Sequence, residues 1–160
     1  ANELRLIIKD DSSNLYFMDE TWVPTIGTWY HLAGVRNGNN LMIFVDGVQL
    51  GTSEDVTGVT IDNADVSRGL VVAARETGIG TFNRYFNGHM DEVRISDTAR
   101  YTANFTPATS AFTPDTNTKL LMHFEDPTLN VWPATPHQST NFLDDDFACE
   151  TQVHGVALLY

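Results

Sequence analysis

The side chains best suited to binding chemistry are aromatic and polar residues in or beside predicted loops. An exposed aromatic ring can stack on the apolar face of a sugar, with a few hydrogen-bonding groups beside it. The polar candidates flank the glycine-containing loop 78–83. The predicted ligand-binding residues are Trp22, Arg75, Asn83, Arg84, Tyr85 and Trp132.

A second candidate is a loop rich in oxygen donors, formed by Asp62, Asn63 and Asp65. Calcium takes hard oxygen ligands of this kind. A solvated turn uses the same residue types. The loop is therefore a predicted metal site, with the solvated turn as its alternative.

Catalytic patterns are missing from the sequence. Adjacent acids in a strand, Asp91-Glu92 and Glu125-Asp126, are predicted to point to opposite faces and so not to act on one bond. There is no Gly-x-Ser-x-Gly elbow, and Cys149 lacks a local nucleophile signature. The five histidines show no metal-ligand spacing. We predict no catalytic residues, and a chain that is not an enzyme.

Charge and composition restrict the partners. The 160 residues include 21 acidic and 9 basic side chains, for a net charge of −12, which repels a phosphate backbone and excludes nucleic acid as a partner. No apolar run approaches the roughly 18–20 residues that cross a bilayer, so membrane insertion is not predicted. The single cysteine rules out an intrachain disulfide. A bacterial, phage or viral exterior protein fits this pattern better than a secreted animal one.

The elements that must position these residues are strands, because the dominant hydrophobic period is two and turn residues recur every eight to twelve positions. Residues 29–50 are typical of a β-meander, and residues 85–96 of one long strand. A single helical turn is predicted at 97–104. With so little helix, strands bury their apolar faces only against another sheet, which predicts a two-sheet sandwich.

Within the meander, strand alternation predicts which side chains share a face. Tyr30, Leu32 and Gly34 are expected on one side of the strand, and Trp29 with His31 on the other. Trp29 is expected in the core. His31, and likewise His123 in a later strand pattern, is expected to be structural.

Three segments carry a family resemblance: GTWYHLA at 27–33, LMIFVDGV at 41–48 and FNGHMDEVRIS at 86–96. In order and spacing they resemble laminin-G-like domains of the concanavalin A-like lectin/glucanase superfamily. Residues 99–107 and 118–124 resemble the link and closing strand of phage and marine microbial members. The resemblance implies an all-β fold, a two-sheet antiparallel jelly-roll sandwich of the concanavalin A-like type.

The resemblance also bears on sites. It implies that Asp91 helps to hold a structural calcium with backbone carbonyls as co-ligands. The alternative is that Asp91 caps backbone amides at a strand end. Glucanases of this fold need an E-x-D-x-x-E strand, so that alternate carboxylates face the sugar, and this sequence has none.

The resemblance divides the chain into a sandwich at 1–126, without the usual first strands, and an extension at 127–160. Residues 154–160 resemble the strand that opens such a unit. They are expected to begin the next unit of a tandem array, or to fold back and replace the missing strands as a circular permutation.

The leading hypothesis is a non-catalytic carbohydrate-binding or adhesion module of a larger extracellular surface or virion protein, such as a fibre. The alternative is a structural spacer or decoration domain that mediates protein–protein contacts. The expected partners are glycans or a neighbouring protein subunit, in a homo-oligomer or a multi-chain assembly, and the expected cofactor is Ca²⁺.

Overall fold

The computed structural model describes residues 3–61, 70–124 and 151–159, the last range through its backbone alone. Strands form wherever the period of two is sustained between turn residues. They are β1 (Glu3–Lys9), β2 (Leu15–Thr21), β3 (Trp29–Asn37), β4 (Asn40–Val45), β5 (Val48–Asp55), β6 (Arg75–Gly78), β7 (Thr81–Asn83), β8 (Gly88–Asp91), β9 (Val93–Ser96), β10 (Thr118–Met122) and β11 (Thr151–Leu159).

The described strands form one large sheet and two hairpins. The large sheet has the order β10-β9-β11-β3-β4-β5, with β8 beside β11. β1 pairs with β2, and β6 with β7. The all-β fold class predicted from the sequence is confirmed, and the antiparallel sheets fit a concanavalin A-like sandwich.

The predicted meander is β3-β4-β5, joined by tight turns. Asp46 and Gly47 both have positive φ, 48° and 78°, as a two-residue type I′ hairpin requires. A side chain at position 47 would also collide with the chain that crosses the turn, because its Cβ would lie 1.9 Å from the Phe105 carbonyl oxygen. Phe105 N–H donates to the Gly47 carbonyl at 2.8 Å. Position 47 thus requires glycine for two independent reasons.

Both faces of the central hairpin are buried. On one face Leu41 and Ile43 pack with Met18 against the β1–β2 hairpin. On that face Gly34 lets Leu6 approach so closely that a Cβ would lie 2.9 Å from a Leu6 methyl carbon. The predicted alternation is therefore seen in the structure, and this face is the interior of the sandwich.

The other face is covered by irregular chain. Val35 and Phe44 form a second core cluster, against which Tyr101 and Phe105 pack. The Tyr101 and Phe105 rings stack on each other, with centroids 3.5 Å apart and planes 7° apart. We call residues 97–112 the connector. Its bends replace the helical turn predicted at 97–104, which is wrong because Tyr101 and Phe105 serve as the cover of a sheet face.

A latch ties the chain beyond the connector to the large sheet. The Arg100 guanidinium donates to both carboxylate oxygens of Asp115 at 2.5 Å. Its Nε donates to the buried Ser96 hydroxyl of β9 at 3.0 Å. Asp115 Oδ1 also accepts from the Thr118 hydroxyl, at the start of β10, at 3.0 Å.

The long strand predicted at 85–96 is interrupted. The structure has β8 and β9 instead, separated by Glu92, whose φ is +55°. A left-handed residue cannot continue the pleat, so the side chains before and after it no longer alternate as in one strand. Gly88, the glycine within the predicted strand, stands at the start of β8 and not at the break.

The carboxyl-terminal strand β11 lies inside the large sheet, between β9 and β3. It pairs in parallel with β3, β8 and β9, whereas the other strand pairs of this sheet are antiparallel. Parallel neighbours need a connection of about a dozen residues or more, and the chain between β9 and β11 exceeds that. The predicted division at residues 126 and 127, with its tandem and permuted versions, stays a prediction.

In the described ranges the chain has no helix, and accordingly none that is long and apolar enough to cross a bilayer.

The close approach at the β4–β5 turn generates a stability prediction. Gly47→Ala should lower the free energy of unfolding by more than Gly58→Ala. Both positions have φ of 78°, but only Gly47 has a backbone oxygen where the Cβ would lie. We expect about 1–2 kcal/mol of conformational strain at either position, and an added loss at Gly47 alone. Urea denaturation of the two variants measures the difference, and equal losses would contradict the proposed contact with Phe105.

The latch generates a pH prediction. Hydrogen bonds from Arg100 lower the pKa of Asp115 well below its ordinary value of 3.8. A carboxyl with a lower pKa in the folded state stabilises the protein above its unfolded pKa, and this contribution is lost as the pH falls from there toward the folded pKa. Asp115→Asn should therefore be less stable at neutral pH and should lose less stability on acidification below about pH 4.

Urea unfolding midpoints across the acid range measure this loss. Asp97→Asn is the control, because its ion pair with Lys119 is exposed and such pairs contribute little. If Asp115→Asn and the parent protein lose stability equally as the pH falls, the latch is not the cause of the acid sensitivity.

Candidate functional site

The candidate site is a cavity of about 320 Å³ at one end of the large sheet. Its volume lies at the lower end of the range of small-ligand sites, roughly 300–1,000 Å³. Four parts of the chain build it: the start of β3, the turn at Asp46, the turn at Glu92 and the end of the connector. The lining residues are Trp29, Tyr30, His31, Asp46, Asp91, Glu92 and residues 107–112.

Trp29 supplies the aromatic wall. It begins β3, and 36% of its surface is exposed. Its indole lies tilted against the His89 imidazole, with ring centroids 6.5 Å apart. The prediction that Trp29 belongs to the core is wrong, because the neighbouring end of the sheet opens into the cavity. The aromatic side chain best placed for a ligand is thus one that sequence reasoning assigned elsewhere.

Asp46 is held in place by the same tight turn that joins β4 to β5. Its Oδ1 accepts the His31 backbone N–H at 2.8 Å, and its own N–H donates to the His31 carbonyl at 2.8 Å. These two bonds fix the carboxylate at the end of the strand pair. In the sequence, Asp46-Gly47 is typical of a tight hairpin turn, and nothing in the residue pattern indicates that Asp46 lines a site.

Asp91 and Glu92 both line this cavity. The sequence predicts that these adjacent acids point to opposite faces of one strand, and that prediction is wrong here. The positive φ of Glu92 breaks the alternation and turns both side chains toward the same space. Asp91 Oδ1 accepts the Glu92 backbone N–H at 2.8 Å, which supports the local geometry.

Glu92 is nearly fully buried, with 7% of its surface exposed. Its Oε2 accepts the Phe112 N–H of the connector at 2.6 Å, and its Oε1 lies 2.6 Å from His123 Nδ1, beyond β10. Both oxygens are therefore bonded within the protein. Glu92 joins the turn after β8, the connector and the end of β10, and it positions the cavity wall.

The connector end is also fixed from beneath. The Arg94 guanidinium lies over the Phe112 ring at 4.0 Å and donates to the Tyr101 hydroxyl at 3.1 Å. His31 is buried and makes edge-to-face contacts with Tyr101 and Phe105, at 5.7 and 5.3 Å. These packed rings form a rigid base for the cavity.

The ligand-binding residues predicted from the sequence lie elsewhere in the described chain. Trp22 is half-buried and packs edge-to-face on Tyr30 at 5.0 Å. The others that the structure describes belong to the β6–β7 hairpin or follow it directly: Arg75, Asn83, Arg84 and Tyr85. Arg75 and Asn83 are cross-strand neighbours, and Tyr85 is 38% exposed. They form a separate polar and aromatic patch, which stays a predicted glycan site.

Of the four predicted metal-binding residues, the structure describes Asp91. Asp62, Asn63 and Asp65 lie outside the described residues, and so does Trp132 among the predicted ligand-binding residues. Within the described ranges no three His, Cys, Asp or Glu side chains lie close enough to share a metal ion. Calcium at Asp91 and in the 62–65 loop stays a prediction.

The all-β fold agrees with the protein family whose model matches this chain. A laminin G family model, described as the concanavalin A-like lectin/glucanases superfamily, matches residues 1–104. The chain belongs to this family. The resemblance stated from the motifs is confirmed, and membership suggests a carbohydrate-binding or adhesion type of module. No curated protein and no solved structure matches the chain.

The role of Glu92 generates a prediction. Glu92→Ala should lower the free energy of unfolding by about 2–3 kcal/mol, because the Phe112 amide and His123 each lose a charged partner. Glu92→Gln should lose less, since its amide oxygen still accepts from Phe112. The matched control is Glu54→Ala in β5, an exposed glutamate whose loss should stay within about 0.5 kcal/mol.

Chemical denaturation followed by tryptophan fluorescence measures all three variants. Equal stabilities of Glu92→Ala and Glu54→Ala would contradict the joining role of Glu92.

Proposed function

We propose that this chain is a non-catalytic carbohydrate-binding or adhesion module, and that a sugar binds in the cavity beside Trp29. The observation that carries the proposal is the half-exposed indole of Trp29 in the same preformed cavity as Asp46. An aromatic face and a fixed hydrogen-bond acceptor are the two elements of sugar recognition. Thr109 and Ser110 of the connector also line the cavity and add polar residues to it.

The non-catalytic part of the proposal rests on how the carboxylates are used. Glycoside hydrolysis needs two carboxyl groups on either side of the scissile bond, one of them able to give up a proton. Both oxygens of Glu92 are engaged, by an amide and an imidazole. The sequence also lacks the alternating acids of the glucanase strand. We therefore assign Glu92 a role in holding the cavity wall and not a role in acid–base catalysis.

The proposed setting is the exterior of a cell or a virion, where the chain would be one module of a larger protein. The net charge of −12 disfavours nucleic acid as a partner. Glycans are the proposed partner. A surface or fibre protein presents many copies of such a module, so weak single-site affinity is compensated by multivalency.

A second candidate function is a structural module that contacts another protein chain. One observation favours it: an apolar groove along β8 and β10, beside Leu70 and Phe124, whose surfaces are 54% and 52% exposed. The groove is lined by Leu70, Val72, Ala73, Phe86, Gly88, Met90, Leu120, Met122 and Phe124. Contiguous exposed apolar surface of this kind is typical of protein–protein contacts.

The test is a glycan array with the purified chain, followed by two variants against the best ligand. Trp29→Ala should weaken binding about tenfold, which corresponds to a loss of ~1.4 kcal/mol of ring contact. Tyr85→Ala, at an equally exposed aromatic of the β6–β7 hairpin, should leave the affinity unchanged. The reverse result would assign the sugar to the hairpin patch, and silence of a folded sample on the array would favour the structural module.

The same array with a chelator tests the calcium prediction. Binding that is lost on chelation and restored by added calcium would assign a metal to the binding mechanism. Binding that is indifferent to the chelator would remove calcium from the mechanism and leave the cavity as the site.

A further inference from the structure

The cavity has an uneven charge distribution. Among the described residues that line it, three carry carboxyl groups, Asp46, Asp91 and Glu92, and none is a lysine or arginine. The lining histidine, His31, is buried against Tyr101 and Phe105. The nearby cation of Arg94 is directed elsewhere, onto the Phe112 ring and the Tyr101 hydroxyl. The connector wall, residues 107–112, contributes no charge. A ligand in this cavity therefore meets a negative potential, which the net charge of −12 reinforces.

Asp46 has a carboxylate oxygen that is available to a ligand. Glu92 uses both oxygens inside the protein. Asp46 uses Oδ1 to accept the His31 amide, and among the described residues nothing hydrogen-bonds to its Oδ2. Hydrogen bonds hold the turn at Asp46 to the His31 backbone on one side and to Phe105 of the connector on the other. Asp46 thus presents a preorganised acceptor to the cavity.

Trp29 favours the same sign of ligand charge. The face of an indole carries negative potential and attracts a cation that lies against it. Trp29 and Asp46 line one cavity, so a single positively charged group can use the ring face and the carboxylate together. An acidic sugar would instead meet the negative potential of the ring face and be repelled by the carboxylates.

We infer that the cavity selects sugars that carry a protonated amino group over their N-acetylated and acidic counterparts. This inference rests on the proposed function, since it names the class of sugar for the same site. An ammonium group contributes a charge-assisted hydrogen bond to Asp46 and a cation–π contact to Trp29. An acetylated amine keeps the ring contacts and loses both charged interactions.

The test compares glucosamine oligomers, N-acetylglucosamine oligomers of equal length and oligogalacturonate by calorimetry at mildly acidic pH. Glucosamine oligomers should bind at least about threefold more tightly than the N-acetylated ones, with no binding of oligogalacturonate. Added salt should reduce the preference, because it screens the charges. Equal affinity for the first two oligomers, or binding of the acidic one, would overturn the inference and leave the carbohydrate-binding proposal standing.

The variant Asp46→Asn tests whether the preference for glucosamine oligomers depends on the Asp46 carboxylate. Asparagine suits the type I′ turn as well as aspartate, and its amide oxygen still accepts the His31 N–H, so the variant should melt close to the parent temperature. It should lose the preference for glucosamine, so that the two oligomers bind this variant equally. Asp11→Asn is the matched control, because it removes one exposed charge from the β1–β2 turn, outside the cavity.

These measurements distinguish failure of the amino-sugar inference from failure of the proposed carbohydrate-binding function. If the preference for glucosamine survives Asp46→Asn, or if Asp11→Asn reduces it equally, the preference comes from net charge. Either result would overturn the assignment of the preference to the cavity. A folded parent protein that binds none of the three oligomers, and no other glycan on the array, would overturn the proposed function itself.

Discussion

The constraint on which the rest of this structure depends is that the central β3–β4 hairpin is apolar on both faces. Ile43 lies on the face that the β1–β2 hairpin covers, and Phe44 on the other. That second face has no regular sheet over it in the described chain, so the connector covers it with the stacked rings of Tyr101 and Phe105. Because the connector must lie there, its far end, residues 107–112, becomes one wall of the cavity.

The site follows from this cover. The chain that protects Phe44 has to be held down at both ends, by Glu92 through the Phe112 amide and by the latch between Arg100 and Asp115. Holding Glu92 in that role requires a left-handed backbone and interrupts the strand. Strained conformations of this kind persist only where the surroundings over-determine them, and here the same strain turns Asp91 into the cavity.

The candidate site illustrates which residues can be read from a sequence. The family motif indicates Asp91, and Asp91 lies in the cavity. Alternation places Trp29 on the same side as His31 and so predicts a buried ring, but it does not show where the cover of a sheet ends. Asp46 is a turn residue, as its sequence indicates, and its second role depends on what lies opposite the turn. The face of Glu92 is not predictable, because one positive φ angle leaves no sign in the residue pattern.

The sequence by itself determined the strands with sustained period two, the tight turn at Gly47 and the family, because pleat alternation and glycine's conformational freedom act locally. The tertiary structure alone decided that a connector covers Phe44, that the strand breaks at Glu92, and that Trp29 and Asp46 line one cavity. These features depend on contacts between distant parts of the chain. No periodicity in one segment encodes what another segment leaves uncovered.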